Sequence, residues 1–368
     1  MTAALPAELI RPEIACLPTY NAGLALDRFR DLFGTDCIAK LDSNENPLGA
    51  APGAISVIRE AAPEVQRYPD ASNSGLRARI ARGRDWDAGR VIVGNGSEDL
   101  IGALFRAVLR PGDHVVTVCP SFGLHEFGAL ACGARVTKVP FTAGWSFPVS
   151  ALGAAMAEPT RILILASPSN PAGPAMSEAQ LRALLSVTPN DTLIAFDEAY
   201  LEYVDPAARI DAPAVLADCR QPWIVLRTFS KAYGLAGIRV GYGITSDAAL
   251  TGAMLKTRNP FGVNALAVAA AGAALDDPAH LARVVALTTS ERSRVSGALR
   301  DKGYDLAPSQ TNFLFLDTGG PAEKFAGDLR RKGVLIKAWQ EEPFCNWARV
   351  TIGSAPENDA FLGAVPGR

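Results

Sequence analysis

Between Arg90 and Ile244 the chain repeats one pattern: a short apolar run, a turn, then a segment of helical period. The apolar runs are Arg90–Val93, His114–Cys119, Gly133–Val139, Arg161–Ala166, Leu193–Phe196, Trp223–Leu226 and Arg239–Ile244. Between them lie helical segments such as Leu100, Ile101, Leu104, Phe105 and Val108, or Ser177–Ser186. Apolar strands alternating with helices predict an α/β fold whose parallel or mostly parallel sheet is covered on both faces. Such sheets bind ligands beyond the carboxyl ends of their strands. Asn170, Asp197, Lys231 and the turn at 94–99 all stand just past strand ends, so the pattern gathers them on one edge.

After Pro260 the texture changes. An Ala-rich helix over Asn264–Leu275 precedes a long helix over Pro278–Lys302, then short strands and helices, with a last helix begun by Asn358. This predicts three parts: an arm over 1–45 that joins the smaller domain, a large domain over 46–260, and a smaller α+β domain over 261–368. The length of 368 residues, 48% of them hydrophobic, is enough for two cores. A net charge of −2 gives no reason to expect nucleic acid or an anionic membrane as partner. No apolar run approaches the ~20 residues of a membrane span, and the first residues lack the basic start and apolar core of a signal peptide. Six scattered cysteines without a CxxC pair, and three histidines, argue for reduced thiols in a cytoplasmic protein and against a structural metal.

Chemistry concentrates in VLRTFSKAYGLAGIRVGYG (225–243). Lys231 is either an exposed loop lysine or an amine that condenses with an aldehyde. The second reading draws on Arg239, Ser230 and Thr228, which could hold a phosphate beside it. The turn GNGSED (94–99) opens a helix, whose N-terminal N–H groups suit an anion, although a glycine turn is also simply structural. It is not the GxGxxG of a dinucleotide site. Asp197 ends an apolar strand. Its carboxylate is either a helix cap or ion-pair partner of Arg227, or the group that keeps a pyridinium nitrogen protonated. Asn170 is either an Asx-turn residue or a donor to a phenolic oxygen, and Tyr200 could share that oxygen. Phe122 and Tyr68 are either packing residues or ligand contacts.

The order of SPSNPAG, DEAY and TFSKAYGLAGIRVGY resembles the fold-type-I pyridoxal-phosphate enzymes of the class I/II aminotransferase group. LDSNENPLG, RYPD and GNGSED resemble the histidinol-phosphate aminotransferase-like branch, and the likeness runs from Pro18 to Gly353. The resemblance implies pyridoxal 5'-phosphate as cofactor and a role for each matching residue. Lys231 would be the Schiff-base lysine and proton shuttle, and Asp197 the partner of the pyridine nitrogen. Asn170 and Tyr200 would hold the phenolic oxygen, and Phe122 would stack on the ring. Ser97 and Glu98 would give backbone N–H groups to the phosphate, Ser230 and Arg239 side chains. Tyr68 would reach the phosphate of a neighbouring subunit, so a homodimer is implied. Arg349 would grip the carboxylate or phosphate of the substrate, Lys337 would stand at a second anion site, and Tyr20 would help cover the substrate.

The implied reaction is transfer of an amino group from histidinol phosphate, with 2-oxoglutarate and glutamate as the second pair. Two departures bear on it. Lys337 in GVLIKAW stands where the family carries arginine, keeping the charge but losing the planar fork. The turn also reads SPSNPAG where SPNNPTG is usual. An aromatic amino-acid aminotransferase, a threonine-phosphate decarboxylase and a non-catalytic binding module on the same scaffold are the alternatives.

Overall fold

The computed structural model describes residues 9–19, 21, 23–84 and 86–368. Twelve strands form three sheets: β1 (Ala39–Lys40), β2 (Val91–Gly94), β3 (His114–Cys119), β4 (Arg135–Pro140), β5 (Ile162–Ala166), β6 (Leu193–Asp197), β7 (Trp223–Thr228), β8 (Gly241–Thr245), β9 (Phe313–Asp317), β10 (Val334–Leu335), β11 (Lys337–Ala338) and β12 (Trp347–Thr351). The seven-stranded sheet has the order β2-β8-β7-β6-β5-β3-β4. Its strands run parallel except β8, which is antiparallel to both β7 and β2. The exception has a local cause. A parallel return needs a crossover long enough for a helix, but the stretch after β7 folds back on itself, with Phe229 N–H donating to the Val240 carbonyl at 3.1 Å.

The central strands β5, β6 and β7 are buried at every residue, which is why they read as unbroken apolar runs. One core lies on each face of this sheet, and a further core lies among β9, β12 and the helices around them. The strands β11, β12 and β9 make an antiparallel sheet, and β1 of the arm pairs parallel with β10. The helix Ala265–Leu275, expected in the smaller domain, instead buries Ala267, Ala270, Ala271 and Ala274 in the large core. Its small side chains let it lie close against the helix Pro52–Ala61. The following helix, Pro278–Asp301, packs at Val284 in a small separate cluster and reaches the smaller core at Val295 and Leu299.

The sequence reading did not include the short helix Pro12–Ala15, nor Ala212–Ala217 and Ala248–Thr257, the last two opened by aspartate caps at Asp211 and Asp247. The last helix starts at Ala355, not at Asn358. Ser354 and Glu357 form a capping box there, and Asn358 is buried, donating to Glu291 and to the Gly353 carbonyl. No helix among the described residues is long and apolar enough to cross a membrane.

Candidate active site

A cavity of about 870 Å³ opens at the carboxyl ends of β5, β6 and β7, between the seven-stranded sheet and the β11–β12 segment. Tyr200, which lines it, belongs to a small buried cluster with Tyr203, Ala232, Val284 and Phe313. Asp197 is the last residue of β6, so its carboxylate projects where the backbone leaves the sheet. One oxygen accepts the Ala199 N–H at 3.0 Å, and the other lies 3.4 Å from His125 Nε2. His125 is fully buried, with Nδ1 3.3 Å from Ser121 Oγ and its ring edge-on to Phe122. The expected partner of Asp197, Arg227, pairs with Glu198 instead, at 2.8 Å. Successive residues of an extended chain point to opposite sides, so Asp197 faces the cavity while Glu198 and Arg227 close a buried pair behind it.

Lys231 stands three residues past the end of β7. Its Nζ donates to the Ser43 carbonyl at 3.1 Å and lies 5.9 Å from the centre of the Tyr200 ring. Desolvation, and after it the Arg349 charge, hold this amine down from its ordinary 10.5 to about 7. Near neutral pH a large fraction of it is therefore free base, the form that attacks an aldehyde.

Beside the lysine is an anion cradle. The helix Ser97–Val108 begins here, with unpaired N–H groups and the positive end of its dipole. Arg239, in the left-handed region at φ 63, lies against that N-terminus and 3.5 Å from Glu98. Two glycines make the approach possible. A side chain on Gly241 would come 2.5 Å from Ser97 N, and one on Gly96 would come 2.7 Å from Arg239 Nη2. Thr228 and Ser230 complete the wall, the Ser230 N–H donating to Thr228 Oγ1 at 3.1 Å.

At the other side, Arg349 of β12 donates to Asn170 Oδ1 and to the Asp42 carbonyl, both at 2.7 Å, with its guanidinium 5.5 Å from the Phe313 ring centre. Lys337 donates to the Asn21 carbonyl at 2.8 Å; burial and the Arg349 charge hold its amine down to about 8. At the edge of the cavity Glu341 takes Lys138 at 3.1 Å, Cys119 Sγ at 3.3 Å and Trp339 Nε1 at 3.2 Å. Desolvation, with Glu341 adding to it, pushes the Cys119 thiol up to about 12, so it stays a thiol.

Of the expected residues, Ser97, Glu98, Phe122, Asn170, Asp197, Tyr200, Ser230, Lys231, Arg239, Lys337 and Arg349 all line this one cavity. Tyr68 does not; it is 83% exposed, its ring 4.6 Å from that of Phe261. Tyr20 lies outside the described residues. Sequence reading assigned no role to Asn44, His125 or Glu341. Asn44 was inside a noted motif, LDSNENPLG, and could have been found there. Nothing in the sequence marks a histidine on a helix or a glutamate in a loop as neighbours of a strand end far away.

The donor set fits a phosphate-bearing pyridine. It offers a helix N-terminus with an arginine and hydroxyls at one end, a carboxylate for a ring nitrogen, an amide and a phenol beside it, and a free amine. The family model described as aminotransferase class I and II matches residues 37–365. Histidinol-phosphate aminotransferase 1 of Mesorhizobium japonicum is 43% identical over 97% of this chain and 98% of its own. Histidinol-phosphate aminotransferase 3 of Rhizobium meliloti is 44% identical over 98% of each. The crystal structure of histidinol-phosphate aminotransferase from Sinorhizobium meliloti in complex with pyridoxal-5'-phosphate superposes with a TM-score of 0.89, at 30% identity over 98% of both chains. An aspartate aminotransferase of Thermus thermophilus, 19% identical with a TM-score of 0.83 over 97% and 99%, shares the fold.

Proposed function

The chain belongs to the class I and II aminotransferases, on their histidinol-phosphate aminotransferase-like branch, and is a pyridoxal-phosphate-dependent enzyme; from this we propose that its amine donor is histidinol phosphate and its second pair 2-oxoglutarate and glutamate. When bound, pyridoxal phosphate supplies an aldehyde that takes the amino group and a ring that draws electrons from the reacting carbon. In our reading Lys231 Nζ would hold the cofactor's aldehyde and, once released, would carry the proton taken from the substrate carbon. Asp197 keeps the ring nitrogen protonated, and His125 helps to fix its carboxylate. Asn170 and Tyr200 hold the phenolic oxygen, and Phe122 covers one face of the ring. Ser97 and Glu98 N–H groups, Ser230 and Arg239 hold the phosphate.

The observation that carries the reading is the convergence of Lys231, Asp197, Asn170 and the helix end at Ser97 on one cavity that Arg349 and Lys337 also line, with burial disfavouring the charged form of Lys231. An anionic amine is drawn to such a site, and a phosphate can engage both cations while Lys231 stays neutral. The lysine at 337 keeps a positive charge there without arginine's planar fork. Tyr68, exposed beside Phe261, supports a homodimer in which this tyrosine enters the partner's phosphate site. The reading includes a cytoplasmic location, a small-molecule donor and acceptor, and neither nucleic acid nor membrane as partner.

The test is a panel of donors, histidinol phosphate, phenylalanine and threonine phosphate, given to the holoenzyme with and without 2-oxoglutarate. Histidinol phosphate is expected to convert the bound cofactor to its amine form fastest, with turnover only when 2-oxoglutarate is present. Carbon dioxide released from threonine phosphate without an oxo acid would overturn the assignment, as would faster conversion by phenylalanine.

A further inference from the structure

The segment Leu41–Asn46 touches three residues of the site, Arg349, Lys231 and Tyr200. The Asp42 carbonyl takes Arg349, the Ser43 carbonyl takes Lys231, and Asn46 Nδ2 donates to the Ala232 carbonyl at 2.9 Å. Asn44 sits at its centre, 1% exposed, with φ 56 in the left-handed region that asparagine tolerates better than other side-chain-bearing residues. Thr351 Oγ1 accepts the Asn44 N–H at 2.9 Å and, in the orientation the amide takes, donates to Asn44 Oδ1 at 3.1 Å. Asn44 Nδ2 therefore faces the Tyr200 phenol, at 2.9 Å. An amide N–H₂ only donates, so the phenolic oxygen accepts from Asn44. Asn312, fully buried, anchors the arrangement by donating to the Asn44 carbonyl at 3.0 Å.

We propose that Asn44 is a positioning residue for the reaction: by donating to the Tyr200 oxygen it aims the Tyr200 proton at the cofactor's phenolic oxygen, with Thr351 setting the amide. This rests on the reading of Tyr200 given above. A hydrogen bond received by a hydroxyl strengthens the one it donates, so Asn44 tunes the cofactor through a residue it touches without reaching the ring. Thr351 lies on β12 two residues from Arg349, so the strand that carries the substrate's anion contact also orients the amide. The charged groups lining the cavity are Lys231, Arg349, Lys337, Arg239 and Lys138 on the cationic side and Asp197, Asp42, Glu98, Glu126, Glu341 and Glu342 on the anionic side.

The experiment is a pH titration of the visible absorbance of bound pyridoxal phosphate in the holoenzyme, without substrate. The proteins are wild type, Asn44→Ala, Thr351→Val, Tyr200→Phe and Asn44→Ala with Tyr200→Phe; the dissociation constant of the cofactor from each apo-protein is measured alongside. A donor to the ring oxygen favours the form with more negative charge there, so weakening it moves the titration midpoint up. Asn44→Ala is expected to raise the midpoint by about half a unit, Tyr200→Phe by more, and the double variant by no more than Tyr200→Phe alone. Cofactor affinity of Asn44→Ala should stay within about threefold of wild type. Thr351→Val should give a smaller upward shift, and it carries the test if Asn44→Ala fails to fold. Wild-type midpoints in both Asn44→Ala and Thr351→Val, with Tyr200→Phe displaced, would overturn the relay alone. The same holds if Asn44→Ala shifts the midpoint equally in the Tyr200→Phe background. An unmoved midpoint in Tyr200→Phe would overturn the reading of Tyr200 itself.

Discussion

Replacing Lys231 by methionine should make the apo-protein more stable, and the gain should depend on pH in one direction. In the folded apo-protein the amine is held at about 7, against 10.5 ordinarily, by burial and by Arg349. Below pH 7 both folded and unfolded chains carry the charged amine, and the folded one holds it in an unfavourable place at full cost. Between 7 and 10.5 the unfolded chain binds more proton than the folded one, so stability rises with pH. Above 10.5 both are neutral and the cost is gone. At 1.4 kcal/mol per unit the ceiling is about 5 kcal/mol. The lysine is half-buried in an open cavity, and solvent screening brings the expected cost to about 2–3 kcal/mol. Methionine also gives up the bond to the Ser43 carbonyl, worth about 1 kcal/mol. The net expectation is a variant more stable by about 1–2 kcal/mol at pH 6, with the gain shrinking from pH 7 upward. Urea unfolding of cofactor-free protein between pH 6 and 10 measures it. A gain that stays constant with pH, or a wild type more stable at pH 6, would refute the reasoning that this amine is held against its own charge.

Other perturbations separate the parts of the site. Gly241→Ala puts a methyl group against Ser97 N and the Gly96 carbonyl carbon. It should cost about 1–3 kcal/mol and weaken cofactor binding at least tenfold, read by equilibrium titration of apo-protein. Arg227→Met strands Glu198 in a place where both partners are buried, and should lower unfolding stability by about 3–5 kcal/mol. Glu198→Gln with Arg227→Met should recover most of that loss in the same unfolding assay. Glu341→Gln loosens the mouth where Lys138 and Trp339 meet it. Stability should change by less than about 1 kcal/mol, while steady-state kinetics should show KM for the amine donor rising and kcat holding.

The relation of sequence to structure differs between the parts of this protein. Strands β5, β6 and β7 were legible because a strand buried on both faces has to be continuously apolar, whatever surrounds it. The placement of Asp197 and Lys231 beyond strand ends follows from chain order alone, since a parallel sheet puts all those ends on one side. That much also brought Asn170 and the turn before Ser97 to the same edge. The reversed strand β8 was not legible, because its direction depends on whether the loop from Phe229 to Val240 folds back, and apolar content carries no direction. The long helices carried their own period. The last helix was misplaced because the capping box at Ser354 and Glu357 outweighs the asparagine that follows it.

By itself the sequence determined the layered fold, the sheet edge where chemistry gathers, and the lysine, aspartate, asparagine and arginine that gather there. These depend on local pattern and on chain order, both of which a linear text contains. Only the tertiary structure decided who touches whom. Arg227 turns away from Asp197 to Glu198, His125 arrives beside Asp197 from a helix, and Arg349 reaches Asn170 from another sheet. It also decided that Lys231 is down at about 7, well below an ordinary lysine, because burial and a neighbouring guanidinium set that value and neither is a property of the lysine. Asn44 belongs to the same class: its position is visible in the sequence, but its bond to Tyr200 exists because two distant segments fold to within 2.9 Å of each other.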